Sequence, residues 1–125
     1  MCSEKNRNPF QDDELEKWLK SFFLDPFTSI LDQTHFRIDL FDSNSELIIE
    51  ALLPPCQKDE VTIYLNDNQV IIKVIKSPNQ CKERTIMFPF KINTQKVTAS
   101  FVNNILEVTI SKTKQEGYQN RSISL

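Results

Sequence analysis

From Phe36 to Ile110 the apolar residues fall at every second position, in short runs broken by polar turns. This alternation constrains the chain more than any other feature. Successive side chains of a strand point to opposite faces, so a period of two describes half-buried strands and not helices. The runs are Phe36-Ile38-Leu40, Leu47-Ile49-Ala51-Leu53, Val61-Ile63-Leu65, the β-branched stretch from Val70 to Lys76, Arg84 to Phe88, Val97-Ala99-Phe101 and Leu106-Val108-Ile110. Turn-forming residues separate them at Asp42-Ser43-Asn44-Ser45, Pro54-Pro55, Asn66-Asp67-Asn68, Ser77-Pro78-Asn79 and Asn103-Asn104. About seven short strands joined by polar turns predict an all-β fold, an antiparallel two-sheet β-sandwich over residues 35–112.

Before residue 35 the period changes. Leu15, Trp18, Leu19, Phe22 and Phe23 lie at i, i+3, i+4, i+7 and i+8, one face of a helix. Asp12 or Asp13 can cap its start, with Asp13 and Glu16 at capping-box spacing. Pro26 ends it. Asp25-Pro26 then reads as cap and first residue of a second short helix, whose apolar face would be Phe27, Ile30 and Leu31. Phe10 adds a further aromatic to this N-terminal helical arm, residues 1–34. The sandwich is expected to fold without it. Residues 113–125 read as a C-terminal tail, a polar, flexible tether that contains Gly117 and ends in Ile123 and Leu125.

Composition removes several functions. The apolar fraction of 39% and charged fraction of 26% suit a globular core. A net charge of −2 gives no electrostatic case for nucleic acid. No apolar run reaches the ~20 residues of a membrane helix, and the polar start does not read as a secretory signal. Gly117 is the sole glycine, which excludes Walker and GxGxxG phosphate loops. His35 is the sole histidine, which excludes multi-histidine metal sites; it reads as an ordinary residue at the start of a strand. Cys2, Cys56 and Cys81 form no CxxC pair and read as reduced thiols. Asp39, Glu50, Glu60 and Glu107 are scattered over strands with no pairing demanded by the pattern, and Ser100 and Ser111 have no triad partner beyond His35. The sequence predicts no enzyme, no cofactor and no metal.

The series of residues resembles the α-crystallin domain of the small heat-shock proteins. Ile49-Glu50-Ala51-Leu52-Leu53-Pro54 is similar to the family strand that ends in acid-Ala-x-Leu-Pro. Phe88-Pro89 resembles the Leu-Pro after the family's seventh strand. Ala99-Ser100-Phe101-Val102-Asn103-Asn104-Ile105-Leu106 resembles the A-x-x-x-[N/D]-G-V-L signature, with Asn104 at the glycine. Ile123-Ser124-Leu125 is similar to the terminal I-x-I/V motif. Leu53-Pro54-Pro55 replaces the family's Leu-Pro-Gly, the mark of a divergent member. The start Trp18-Leu19-x-x-Phe22-Phe23-x-Asp25-Pro26-Phe27 is similar to the small heat-shock-like proteins of bacterial spore coats.

The resemblance implies an immunoglobulin-like sandwich and an ATP-independent holdase that binds unfolding proteins by apolar contact and assembles with itself. The alternative is a structural component of a spore coat, with other coat proteins as partners. The implied location is the cytoplasm or the spore coat. The implied client-binding or oligomer arm is Leu15, Trp18, Leu19, Phe22, Phe23 and Phe27. The family's tail groove is implied at Val61, Ile63, Val97 and Ala99, where Ile123 and Leu125 of another subunit would dock. The link from Ser77 to Glu83 is too short for the swapped strand of most bacterial relatives. Arg84 falls where animal relatives often carry a dimer-interface arginine; the other reading is a solvated strand charge.

Overall fold

The computed structural model describes residues 13–116 and 119–125. Helices α1 (Asp13–Leu24) and α2 (Pro26–Thr34) come first. Strands follow as β1 (Arg37–Asp42), β2 (Glu46–Leu52), β3 (Val61–Asn66), β4 (Gln69–Ser77), β5 (Gln80–Met87), β6 (Gln95–Val102), β7 (Ile105–Gln115) and β8 (Arg121–Ser122). They form two antiparallel sheets of order β1-β2-β7-β6 and β5-β4-β3-β8.

The alternation sets which faces meet. Leu47, Ile49 and Ala51 of β2 stand opposite Ile110, Val108 and Leu106 of β7, all fully buried. Ile63 and Leu65 of β3 stand opposite Ile72 and Val70 of β4, also buried. The two inner faces supply the core, as expected of a sandwich.

Two tight hairpins reach positive φ without glycine. Val102 pairs with Ile105 across Asn103 and Asn104, at φ of 53° and 63°. A two-residue type I′ loop needs positive φ at both positions, and Asn tolerates it best after Gly. Asn104 also accepts from the Leu53 and Cys56 amides through its carbonyl and side-chain oxygens, which ties this hairpin to the loop after β2. Asp67, at φ 58°, serves the β3–β4 hairpin.

Several boundaries and faces differ from expectation. Strand β5 begins at Gln80, not Arg84, because Ser77 pairs with Gln80 around Pro78-Asn79. That hairpin leaves no excursion between the strands. Strand β7 runs on to Gln115, so residues 113–115 belong to the sheet and not to the tail. Asp25 caps α2 as predicted, accepting from Phe27 N at 2.9 Å with Pro26 in the first turn. The inward face of α2, however, is Thr28, Leu31 and Asp32, while Phe27 and Ile30 face out. The helix turns toward a polar partner. Phe10, the Asp12 and Asp13 caps, Cys2 and Gly117 lie outside the described residues and side chains.

That polar partner is Arg84, which is not a solvated strand charge. Its side chain points inward on edge strand β5 and is 3% exposed. Nη1 donates to Asp32 Oδ1 and, at 2.9 Å, to the Phe36 carbonyl. Asp32 Oδ1 also accepts from Ile38 N at 3.2 Å, so one carboxylate joins α2, β1 and β5. Lys112 plays the matching role at the end of β7, donating to Asp42 and to the Ser43 carbonyl. Leu15 of α1, 2% exposed, belongs to the same core as the strands. The helices therefore complete the sandwich rather than hang from it.

Two outcomes follow for stability measured by denaturant titration. Leu106→Ala should cost about 2–5 kcal/mol, as for other fully buried leucines. Asp32→Ala should cost about 1–3 kcal/mol, discounted for the partial exposure of the carboxylate. Adding Arg84→Met to Asp32→Ala should recover part of that loss, because the buried charge is removed with its partner. Additive losses would show that the pair does not act as a unit.

Candidate functional site

The N-terminal helices divide their apolar residues between two tasks. Leu15, Trp18, Leu19 and Phe22 pack inward. The Trp18 ring lies 4.7 Å from Phe88, and its Nε1–H donates to the Met87 carbonyl at 3.0 Å. Indole anchors of this kind fix a helix by apolar area and one directed hydrogen bond. Phe23 and Phe27, read with these as one arm, do not join them. Around the α1–α2 elbow Phe23, Leu24, Phe27 and Ile30 are 47%, 80%, 70% and 52% exposed. Phe22 meets Phe23 edge-on at 5.4 Å, so the buried and exposed groups are continuous.

The second site is the side of the sandwich where β3 and β6 lie. Val61 and Ile63 are on β3 and Val97 and Ala99 on β6, a sheet edge, with Ile63 and Val97 buried in the core. The tail lies along β3 of the same chain: Ser122 pairs with Tyr64, Arg121 with Leu65, and Ile123 N donates to the Ile63 carbonyl at 2.9 Å. Ile123 and Leu125 both pack against the core. Beside them a cavity of about 640 Å³ runs past Gln57, Lys58, Val61 and Ile63.

Sequence reasoning missed two features of the outer face of the β1-β2-β7-β6 sheet. Leu52, Ile105 and Val102 are direct cross-strand neighbours and all exposed. Asp39, Glu50 and Glu107 likewise form one row across β1, β2 and β7. Like charges in direct register repel, and Arg37 relieves only the Asp39 end, at 3.3 Å. Strand register brings these residues together, and single-strand patterns do not carry it. Among the described residues no group of three or more His, Cys, Asp or Glu is arranged to hold a metal. His35 caps the end of α2, its Nδ1 at 2.8 Å from Thr34 Oγ1.

The two antiparallel sheets and their strand order define a class: the α-crystallin sandwich of the small heat-shock proteins. The fold matches the Del-C4 mutant of hsp14.1 from Sulfolobus solfatataricus P2 with a TM-score of 0.55 and 19% identity, over 83% of this chain and 98% of that one. It matches heat shock protein 16.0 from Schizosaccharomyces pombe with a TM-score of 0.50 and 22% identity, over 70% and 94%. Within that class the match becomes specific. Residues 40–110 fit the model of the GerT C-terminal domain. The chain is 35% identical over 116 residues to spore coat protein M of Bacillus subtilis (strain 168), covering 92% of this chain and 87% of that protein. The chain belongs to the GerT C-terminal domain family, a spore-coat-type variant of the small heat-shock fold. No helix among the described residues is long and apolar enough to cross a membrane.

The described thiols differ in setting. Burial pushes the Cys56 thiol up from its ordinary value, the Glu60 carboxylate adds to this, and Lys76 opposes it. Cys81 is exposed on β5. Because the thiolate is the reactive form, Cys81 should be alkylated several-fold faster than Cys56 at pH 8 in a Cys2→Ser background. Peptide mass mapping reads the order, and equal rates would show that the loop holding Cys56 opens freely.

Proposed function

We propose that the chain is a non-enzymatic assembly protein of the spore coat, joining copies of itself and other coat proteins through the apolar elbow of its helices. The observation that carries this is the exposure of Phe23, Leu24, Phe27 and Ile30 on helices whose other faces are anchored by Leu15, Trp18 and Asp32. A rigidly held apolar patch gains roughly 25 cal/mol for each Å² it buries in a partner, and little ordering entropy opposes that. Likeness to spore coat protein M supports the coat setting. The small heat-shock fold supports a second reading, a holdase that uses the same elbow to bind unfolding chains without nucleotide.

One variant separates the readings. Phe23→Ser with Phe27→Ser removes two exposed rings and should leave the unfolding midpoint nearly unchanged, since surface substitutions usually stay within about 0.5 kcal/mol each. Multi-angle light scattering should show a lower assembly mass for the variant. An unchanged mass would sink the elbow as a contact. Scattering by a heat-denaturing client then decides the rest. Suppression at near-stoichiometric ratios by the unmodified protein, lost in the variant, supports the holdase. Ordered assembly without client protection supports the coat component.

A further inference from the structure

A second apolar surface lies on the outer face of the β1-β2-β7-β6 sheet. We infer that it receives the helical elbow of a second copy of the chain, in a head-to-tail contact where Lys17 and Lys20 of one copy meet Glu50 and Glu107 of the next. The inference rests on the proposed role of the elbow and names its partner.

The sheet side is set by strand register. Leu52 of β2 stands opposite Ile105 of β7, and Ile105 opposite Val102 of β6, all exposed on the face that points away from the core. Glu50 and Glu107 form the next row of that face, two residues along their strands and so about 7 Å from Leu52 and Ile105. Asp39 is taken by Arg37. Among the described residues neither Glu50 nor Glu107 has an ion-pair partner. Their mutual repulsion is relieved by a cation brought to the row.

The elbow side has the opposite sign. Leu15, Trp18, Leu19 and Phe22 of α1 face inward. Lys17, Lys20 and Leu24, at i, i+3 and i+7, form the outward stripe, and all three are exposed. Neither lysine has an ion-pair partner among the described residues. Glu16 lies beside the stripe, and Asp25 is engaged as the cap of α2. Lys20 and Leu24 are separated by about 6 Å of helix rise, close to the step between the acidic and apolar rows of the sheet.

Charge decides which surfaces meet. Elbow against elbow brings Lys17 and Lys20 toward their own copies. Sheet face against sheet face does the same with Glu50 and Glu107. Elbow on sheet face covers both apolar surfaces while opposite charges meet beside them. Within one chain both surfaces are exposed, so neither covers the other. A contact between two different patches is heterologous: each added copy leaves one elbow and one sheet face free. Such an assembly grows into a ring or a filament rather than stopping at a dimer.

The test is charge exchange between full-length chains. Lys17→Glu with Lys20→Glu makes the elbow acidic, and Glu50→Lys with Glu107→Lys makes the sheet face basic. Light scattering over a dilution series reads the assembly. Each variant alone should need roughly tenfold more protein than the unmodified chain to reach the same mass. Mixed in equal amounts, the two should return to the unmodified mass, because every elbow again meets a face of opposite charge. Single variants that assemble like the unmodified chain would overturn the inference, and so would a mixture that stays small. If either happens while Phe23→Ser with Phe27→Ser still lowers the mass, the elbow stands as a contact and the sheet face is not its partner. An unmodified chain that is monomeric at every concentration would overturn both. A second measurement needs no substitution and so does not depend on the variants folding. Carbodiimide treatment of unmodified chains, half of them grown on heavy nitrogen, joins a lysine amine to a carboxylate as an amide with loss of water. It should link Lys17 or Lys20 to Glu50 or Glu107 between heavy and light chains. Links from these lysines to other carboxylates alone, or no links, would overturn the contact.

Discussion

Two four-stranded sheets stacked face to face shield a core from above and below, but leave it open along both flanks. Everything outside the seven long strands answers that constraint. On one flank the edge strands are β1 and β5, and α1 and α2 close the gap with Leu15 below and the Asp32–Arg84 pair beside it. On the other flank the edges are β6 and β3, and the chain's last residues close it with Arg121, Ile123 and Leu125. Both closures use the same design: an arginine bonded to backbone carbonyls, with apolar residues packed nearby. An inward charge on an edge strand also discourages the strand from pairing with stray chains, because such pairing would strand the charge. Arg84 thus closes the flank and guards the edge at once.

How far this was legible in the sequence depends on the range of the interaction. Alternation in each run reports a face, so Leu106, Val108 and Ile110 could be assigned to the core one strand at a time, and all three are fully buried. Asp25 before Pro26 is a local cap and was readable. The positive φ at Asn104 was readable because the backbone need is local to the turn. Arg84 was not. Its partner lies on α2, and only the stacking of sheets brings the two together, so a strand charge looked solvated. The face of α2 failed for the same reason: Asp32 faces inward to meet Arg84 and carries Phe27 and Ile30 outward. The groove residues were placed by likeness to a family, and the identity of the tail's host strand is a matter of tertiary structure that no period encodes.

The elbow exposes what a solitary globular protein would cover. Its apolar residues sit where the two helices join, next to Phe22, which packs against the core. An exposed apolar surface of this kind suits passive contact with another apolar surface. Under the proposed function the same patch would serve coat assembly or client holding, separated by what meets it.

Trp18 is the chain's single tryptophan, and it sits on the seam between helix α1 and the sandwich. Its ring lies tilted against Phe88 and its N–H is spent on the Met87 carbonyl. Excited beyond the absorption of its two tyrosines, the protein therefore emits from one joint. Any separation of α1 from the sandwich would wet that indole and shift its colour, so the molecule carries a label-free optical gauge of that seam.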